Sequence, residues 1–230
     1  MDTEIVKPEL EFTTDWLGDK AVFIEQHLAY LKGVPNAKGL EIGSFEGRSA
    51  IWFCDKILTG LGAKLTCIDP WVPTAELMAM GFDWSEAEKL FDRNVANSGH
   101  AEKINKIKAP SFNALRGLNF ESYDFIYIDG SHRSDHVMED AVLSFRLIKN
   151  EGVMIFDDYK LIRYPDKGMD PQSGIDKFYG AYRHNFRLLH VGEQAIFRKE
   201  TKNYSVGGFT TATPDAFLIN PNGANGANEF

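Results

Sequence analysis

Three aspartates stand where two predicted strands end. Asp129 follows the apolar run at residues 123–128, and Asp157 and Asp158 follow the run at residues 152–156. The carboxyl ends of neighbouring parallel strands meet at one edge of a sheet, so these carboxylates are expected to lie together. Three acids in one place repel one another unless a cation lies between them, and Mg²⁺ is the hard cation best suited to oxygen ligands. The spacing therefore predicts a Mg²⁺ site formed by Asp129, Asp157 and Asp158.

His132 comes three residues after Asp129, on the turn that leaves the same strand. An imidazole group titrates near neutrality and can take a proton from a hydroxyl group, and a divalent cation that lowers the pKa of that hydroxyl would assist it. Simpler interpretations stay open. The histidine can cap a helix or orient a substrate, and the aspartates can cap a helix, face solvent or contact a cofactor without a metal. His136, one helical turn later, is expected on the helix surface.

A second group of residues that could bind a ligand is the loop at residues 41–49 (EIGSFEGRS), between a predicted strand and a predicted helix. Gly43 permits a sharp turn and the close approach of a ligand, and Gly47 begins the helix, whose unpaired N–H groups suit a carboxylate or phosphate. The Ser49 hydroxyl can add a hydrogen bond. The spacing E-x-G-x-x-x-G is neither the dinucleotide fingerprint nor the P-loop, and a plain strand-to-helix turn stays an open interpretation.

Asp69 ends the second predicted strand, 26 residues after Gly43. An acid at this place in a doubly wound fold accepts hydrogen bonds from ribose hydroxyls, and that role is favoured over a turn cap before Pro70. Trp71 either covers the adenosine or belongs to the core.

These residues need a scaffold that brings strand ends together. Apolar runs predict strands at residues 38–42, 64–69, 103–108, 123–128, 152–156, 186–191 and 194–199. Helical spacing predicts helices at residues 20–32, 47–59, 85–97, 111–118, 134–149 and 172–184. Ser85 followed by Glu88 is typical of a capping box. Strands that alternate with helices predict a doubly wound α/β fold with a mostly parallel seven-stranded sheet, closed by an antiparallel hairpin.

Composition limits the class of protein. The chain has 230 residues, a formal net charge of −8 and no block of Lys and Arg, which argues against nucleic-acid and anionic-membrane partners. Cys54 and Cys67 are expected to be buried free thiols. With neither a signal peptide nor an apolar span of about 20 residues, a cytoplasmic protein is expected. One domain at 37–200 is predicted, after a loose lead-in and helix at 1–36 and before a flexible Gly/Asn-rich tail at 201–230.

Four segments together resemble the class I S-adenosylmethionine (SAM)-dependent methyltransferases. They are EIGSFEGRSAIWF, LTCIDPW, FDRNV and YDFIYIDGSHRSDHVMEDAVLSFRLIKNEGVMIFDDY. The nearest branch is that of the macrocin and mycinamicin sugar O-methyltransferases, and catechol O-methyltransferase is more distantly similar. The resemblance covers about residues 38–160, and the hairpin at 186–199 fits the last two strands of that family.

The resemblance implies roles for individual residues. The loop after the first strand would hold the methionine part of SAM, through Glu41, Gly43, Ser44, Phe45, Gly47 and Ser49. Asp69 would hold the ribose, and Ser111 would lie near the adenine, although Pro110 stands where many relatives carry an acid. Asp129 would contact both cofactor and metal. Metal-dependent members use acids at the positions of Asp129, Asp157 and Asp158, and some members use the His132 position as the catalytic base.

The expected function is therefore SAM-dependent methylation of a small hydroxylated acceptor, such as a sugar, polyol or other diol. Mg²⁺ would bind two acceptor oxygens while His132 takes the proton. Relatives are often dimers, so a homodimer is a further expectation. The alternatives are a non-catalytic SAM-binding scaffold, a metal-independent N- or O-methyltransferase and an NAD(P) oxidoreductase. The absence of the dinucleotide fingerprint argues against the last of these. Acceptor contacts are expected within 1–36, 70–84 and 159–175, where Tyr159, Arg163 and Tyr164 either line the mouth or pack on the surface.

Overall fold

A central seven-stranded sheet organises the part of the chain that the computed structural model describes, residues 9–73, 78 and 84–200. Its strands are β1 (Lys38–Ile42), β2 (Lys64–Asp69), β3 (Ile104–Lys108), β4 (Tyr123–Ile128), β5 (Ile148–Phe156), β6 (Phe186–Val191) and β7 (Ala195–Lys199). They lie in the order β3-β2-β1-β4-β5-β7-β6. Strands β1 to β5 pair in parallel, and β7 pairs antiparallel with both β5 and β6. The predicted doubly wound sheet with its closing hairpin is confirmed.

Helices cover the two faces of this sheet. They are α1 (Ala21–Leu28), α2 (Arg48–Lys56), α3 (Ala87–Ser98), α4 (Ser111–Ala114), α5 (Ser134–Leu147) and α6 (Pro171–Tyr182). Tighter 3₁₀ turns adjoin several of them, at Gly18–Lys20, Ala29–Leu31, Trp84–Glu86, Leu115–Gly117, Lys167–Met169 and Arg183–Asn185. The helices predicted at 20–32, 111–118 and 172–184 are therefore each part α-helix and part 3₁₀ turn, which is common at helix ends.

Two local predictions differ from the structure. Ser85 lies inside a 3₁₀ turn, and α3 begins after Glu86 with no side-chain cap, so the predicted capping box is wrong. A helical turn that leads straight into the helix leaves no extended N-cap position for the serine to occupy. Strand β5 begins at Ile148 rather than at residue 152, because Ile148 is extended and pairs with Tyr123 across a register shift.

The core has two layers, one on each face of the sheet. Along β4, Phe125 and Tyr127 pack in the layer that contains α1 and α2, whereas Ile126 and Ile128 pack in the layer that contains α5 and α6. A strand buried on both faces has a continuous apolar sequence, which is why the run at 123–128 predicts a strand. The acidic residues Asp129, Asp157 and Asp158 come directly after β4 and β5, where the candidate site lies.

Other expectations meet the structure at the edges of this core. Both cysteines are free and buried, as predicted, and burial raises the pKa of the Cys54 thiol to about 12. No helix among the described residues is long and apolar enough to cross a bilayer. The predicted tail at 201–230 and most of the irregular segment at 70–84 lie outside the described residues.

Candidate functional site

The glycine turn after β1 is packed directly against the end of β4. Gly43 has φ of 86°, and its N–H donates a 2.8 Å hydrogen bond to the Ile68 carbonyl. A Cβ atom at this position would lie 1.9 Å from the carbonyl oxygen of Asp129, closer than two atoms that are not bonded to each other can approach. The Asp129 N–H in turn donates to the Ile42 carbonyl over 2.8 Å. The absence of a side chain at Gly43 therefore allows the loop to pack against Asp129. We call Asp129, Asp157 and Asp158, which follow β4 and β5, the acidic edge.

Asp69 holds the shape of this loop. One carboxylate oxygen accepts hydrogen bonds from the N–H groups of Ser44 and Phe45, both at 3.0 Å, and the other accepts from the N–H of Trp71 at 2.7 Å. Phe45 and Trp71 both have positive φ, at 44° and 46°, a strained conformation that these bonds stabilise. Burial raises the pKa of Asp69. A carboxylate has about four acceptor positions, so its predicted ribose contact stays a prediction alongside these three bonds.

The indole ring of Trp71 packs on Phe91, with ring centroids 4.9 Å apart, and its N–H donates to the Phe45 carbonyl over 2.8 Å. Trp71 therefore packs against the core, and whether it also covers the adenosine stays a prediction. At the far end of the loop, Gly47 is the left-handed N-cap of α2, with Ser49 in the first turn of that helix.

Glu41 lies on β1 beneath the loop and is completely buried. Its Oε2 atom accepts a 2.6 Å hydrogen bond from the Ser44 hydroxyl, whereas Oε1 is buried without a partner among the described residues. Burial raises the pKa of Glu41 to about 7, although the polar side chains of Ser44, Ser49 and Cys67 close to the carboxyl group oppose the shift. A buried acceptor without a donor is costly, so this oxygen marks a place where a ligand donor would be stabilising.

Stability is expected to depend on pH through Glu41. Because the pKa of Glu41 is raised from 4.5 to about 7, the folded state favours its protonated form. The stabilisation of the folded protein is therefore full below about pH 4.5 and is lost as the pH rises through about 7. Relative to Glu41→Gln, the unfolding free energy of the wild type should fall by about 3 kcal/mol across this window. Urea unfolding of both proteins at the two ends of the window measures the difference. Parallel pH profiles would show that Glu41 does not titrate there.

His132 converges with two of the predicted aspartates at the carboxyl ends of β4 and β5. Asp129, His132 and Asp158 each present one ligand atom, all within 4.8 Å of one another. The Nε2 atom of His132 lies 3.0 Å from an Asp158 oxygen, and the Tyr127 hydroxyl donates to Asp129 over 3.3 Å. His132 is 15% exposed, so it is reachable from solvent. The predicted convergence of a histidine with carboxylates is thus present.

The pKa values of Asp129 and Asp158 are shifted in opposite directions. Burial, together with the Asp157 and Asp158 carboxylates, raises the pKa of Asp129 well above its usual range. Burial acts in the same direction on Asp158, but the hydrogen bond and charge of His132 outweigh it and lower the pKa of Asp158. Asp158 is therefore the ionised partner, and a carboxylate in that position orients an imidazole and stabilises its protonated form.

Asp157 lies at the same edge but outside the group of three converging ligand atoms, so its role as a metal ligand stays a prediction. It is 3% exposed, its Oδ1 accepts a 2.6 Å hydrogen bond from the Gln194 side chain, and its Oδ2 pairs with the Lys20 ammonium group. Burial raises the pKa of Asp157 although Lys20 lowers it. An ammonium group of the chain itself thus supplies positive charge at this edge. Sequence reasoning missed Lys20, which is 137 residues from Asp157 in the chain.

The predicted loose lead-in is instead fixed across the site from residue 11 onward. The side-chain amide of Asn94 accepts a 2.9 Å hydrogen bond from the Glu11 N–H and donates a 2.8 Å hydrogen bond to the Glu11 carbonyl. The N–H and hydroxyl of Thr13 donate to the Glu46 carboxylate at 2.7 and 2.6 Å. The Trp16 ring stacks on Phe45 with centroids 5.2 Å apart. We call residues 11–20 the N-terminal strap, because they connect α3 and the glycine loop to the acidic edge.

The remaining predicted residues lie around this centre. Ser111 begins α4 directly after β3, and its hydroxyl hydrogen-bonds to the buried carboxyl of Asp140, whose pKa burial raises to about 7. His136 is exposed on α5, as predicted, and lies 3.0 Å from the Ser131 hydroxyl. The Tyr159 hydroxyl donates to Asp176 over 2.9 Å. The backbone N–H groups of Arg163 and Tyr164 donate to Asp170 at 2.8 and 3.0 Å. Whether these last three residues line the acceptor mouth stays a prediction.

A parallel sheet of this order with an antiparallel final strand, a glycine loop after β1 and an acid at the end of β2 defines the Rossmann-like methyltransferase class. More particularly, the chain belongs to the methyltransferase domain family, whose model matches residues 40–159. The matched range contains the glycine loop, Asp69, His132 and all three aspartates of the acidic edge. The strap and the closing hairpin lie outside it.

Similar proteins agree with this assignment. Over 130 residues the chain is 31% identical to the O-methyltransferase hkm8 of Aspergillus hancockii, a stretch that is 54% of this chain and 44% of that protein. The chain thus spans less than half the length of this curated relative. The O-methyltransferase TomG of Streptomyces achromogenes, solved with SAM, has 17% identity and a TM-score of 0.59, covering 84% of this chain and 83% of its own. An O-methyltransferase from Bacillus cereus, solved with SAH, has 17% identity and a TM-score of 0.56, covering 85% and 84% respectively.

Proposed function

We propose that the chain transfers a methyl group from SAM to an oxygen of a small hydroxylated acceptor, such as a sugar, polyol or other diol. The observation that carries this proposal is the contact between Gly43 and Asp129, which puts the cofactor loop and the His132 cluster side by side. Bringing the two reactants together in this way is the main contribution that a protein makes to a transfer reaction whose chemistry the cofactor supplies.

The loop residues fit the methionine end of SAM. Glu41 offers a buried oxygen without a partner, and the ammonium group of the methionine part is a donor of the right charge. The first turn of α2 offers N–H groups for the carboxylate end. We assign the methionine part to Glu41, Gly43, Ser44, Phe45, Gly47 and Ser49, the ribose to Asp69 and the adenine side to Ser111. When bound, SAM supplies a methyl group activated by its positive sulfur.

The acidic edge has the donors that a divalent cation needs. Asp129 and Asp158 offer oxygens suited to Mg²⁺, and His132 adds a nitrogen that metals such as Mn²⁺ also accept. Such an ion would lower the pKa of an acceptor hydroxyl. In our assignment His132 takes the hydroxyl proton, Asp158 holds and stabilises the protonated ring, and Asp129 faces both cofactor and acceptor. Asp157 joins the ligands only where Lys20 releases it.

A second candidate is a metal-independent O-methyltransferase of the same fold. It is favoured by the ammonium group of Lys20, which already supplies a positive charge to the acidic edge. The His132–Asp158 pair would then act as the base without help from an ion.

Chelation separates these two candidates. Methyl transfer from SAM to a panel of sugars, polyols and diols should fall by about 10²-fold after EDTA treatment and return with added Mg²⁺. A rate indifferent to EDTA would assign the reaction to the metal-independent candidate. SAM binding in a calorimeter without turnover on any acceptor would instead favour a SAM-binding scaffold, the alternative that leaves the chemistry unused.

We further propose kinship with the macrocin and mycinamicin branch, on the segment from Tyr123 to Tyr159 that carries all the acidic-edge residues. A methyltransferase domain at 37–200 is supported by the closing hairpin, which completes the sheet beyond the matched range. Turnover of a macrolide-attached sugar would support this branch, whereas turnover of simple aromatic diols alone would argue against it.

A further inference from the structure

Lys20 places a positive charge at the acidic edge. Its Nζ atom pairs with Oδ2 of Asp157, a carboxylate that is 3% exposed, while the lysine side chain itself is 24% exposed. Burial acts to lower the pKa of Lys20, but the charge of Asp157, followed by those of Asp129 and Asp158, raises it. The ammonium group therefore interacts with all three aspartates, although it touches only one.

A divalent cation would need the same negative charge. Asp129, His132 and Asp158 converge to within 4.8 Å, and Asp157 directly precedes Asp158 in the chain. An ammonium group close to a divalent ion repels it, and the repulsion is strong where water is largely excluded. The oxygen that Lys20 occupies is also the one that Asp157 would offer as a further ligand. The two cations are thus mutually unfavourable neighbours.

Lys20 is also the last residue of the strap. Trp16, four residues before Lys20, also contacts the site. Its ring stacks on Phe45 of the glycine loop and lies 6.0 Å from the ring of Trp84. Just beyond Lys20, Ile24 and Leu28 of α1 are fully buried in the core, so α1 is held independently of the ion pair. Leu17, three residues before Lys20, is also buried in this core. Release of Lys20 would therefore remove one of several contacts that hold the strap, while α1 stays in place.

We propose that Lys20 and a divalent metal ion are alternative occupants of the acidic edge, so that metal binding displaces Lys20 and loosens the N-terminal strap over the cofactor loop. This inference rests on the metal site of the proposed function. Lys20 is then a positioning residue that sets the metal affinity. Binding of the ion is also coupled to the N-terminal strap, which lies beside the cofactor loop.

Calorimetric titration with Mn²⁺ alone tests the competition. Lys20→Met, which keeps the length of the side chain and removes its charge, should bind Mn²⁺ about tenfold more tightly than the wild type. Lys20→Arg, which keeps the charge, should bind no more tightly than the wild type. The matched control is Lys32→Met, which removes one positive charge from an exposed pair with Glu25 and should leave the affinity unchanged.

Two further readouts do not depend on activity. Without metal, Lys20→Met leaves the buried Asp157 carboxylate without its ammonium partner. The melting temperature of this variant should therefore fall, and added Mg²⁺ should raise it more than it raises that of the wild type. Amide hydrogen exchange in residues 11–20 of the wild type should become faster when Mn²⁺ is added.

The outcomes separate this inference from the proposed function. Equal or weaker Mn²⁺ binding by Lys20→Met, with binding by the wild type intact, would overturn the competition and leave the metal site standing. No binding by any of the proteins would remove both the competition and the metal, while methyl transfer would still be tested by the acceptor panel. If Lys20→Met does not fold, unchanged hydrogen exchange of the strap in metal-loaded wild type overturns the inference.

Discussion

Replacing Gly43 by alanine is expected to abolish SAM binding and to lower the free energy of unfolding by about 3 kcal/mol or more. The backbone at this residue has φ of 86°, and a Cβ atom there would lie 1.9 Å from the Asp129 carbonyl oxygen and 2.9 Å from Gly130 Cα. These neighbours are backbone atoms of the β4 end and cannot rotate away. The loop must move, and with it the hydrogen bond between the Gly43 N–H and the Ile68 carbonyl.

Urea unfolding and SAM calorimetry measure the two effects separately. Gly180→Ala is the matched control, because Gly180 lies within α6 with open space where a Cβ would go. That substitution is expected to raise stability by about 0.5–1 kcal/mol and to leave SAM binding unchanged. If Gly43→Ala bound SAM as tightly as the wild type, the loop would not be the cofactor site, and the assignment of Glu41 and its neighbours would be wrong.

The fold was predictable because its signals are local. Strands β1, β2, β4 and β6 begin and end where the apolar runs predicted. The signal is strongest for β4, which is buried on both faces and has an almost continuous apolar sequence. The acids at the ends of β2, β4 and β5 were equally visible, because parallel strands bring their carboxyl ends to one edge. Helix starts were less accurate: Ser85 has the residue type of an N-cap, but a 3₁₀ turn begins before it.

The charge balance of the site was not predictable, because it depends on long-range partners. Lys20 and Gln194 both reach Asp157 from outside the residues that carry the resemblance, and neither lies in a pattern that predicts such a contact. Asn94, which is fully buried on α3, likewise joins the strap to the loop through Glu11 and Glu46. Three acids at one edge do favour a nearby positive charge, but the sequence could not show that Lys20 supplies one.

Replacing His132 by glutamine is expected to lower kcat by about 10²- to 10⁴-fold while SAM affinity stays unchanged. Glutamine can still donate a hydrogen bond to Asp158 but cannot take a proton, so the loss falls on the chemical step. The His132 cluster adjoins the cofactor loop through Asp129, which this change leaves intact. Steady-state rates at saturating SAM and acceptor measure the effect. His136→Gln is the control, since His136 contacts Ser131 on the exposed face of α5 and should keep full activity.

Saturation with metal decides which role His132 has. As a ligand its loss would weaken metal binding, and excess Mg²⁺ or Mn²⁺ would recover the rate of His132→Gln. As the base its loss is not recoverable by metal, whereas His132→Ala should regain part of its activity from added imidazole, which can occupy the vacated space and accept the proton. The 3.0 Å contact between Nε2 and Asp158 favours the base, because it gives the protonated ring an ionised partner at the moment the hydroxyl loses its proton.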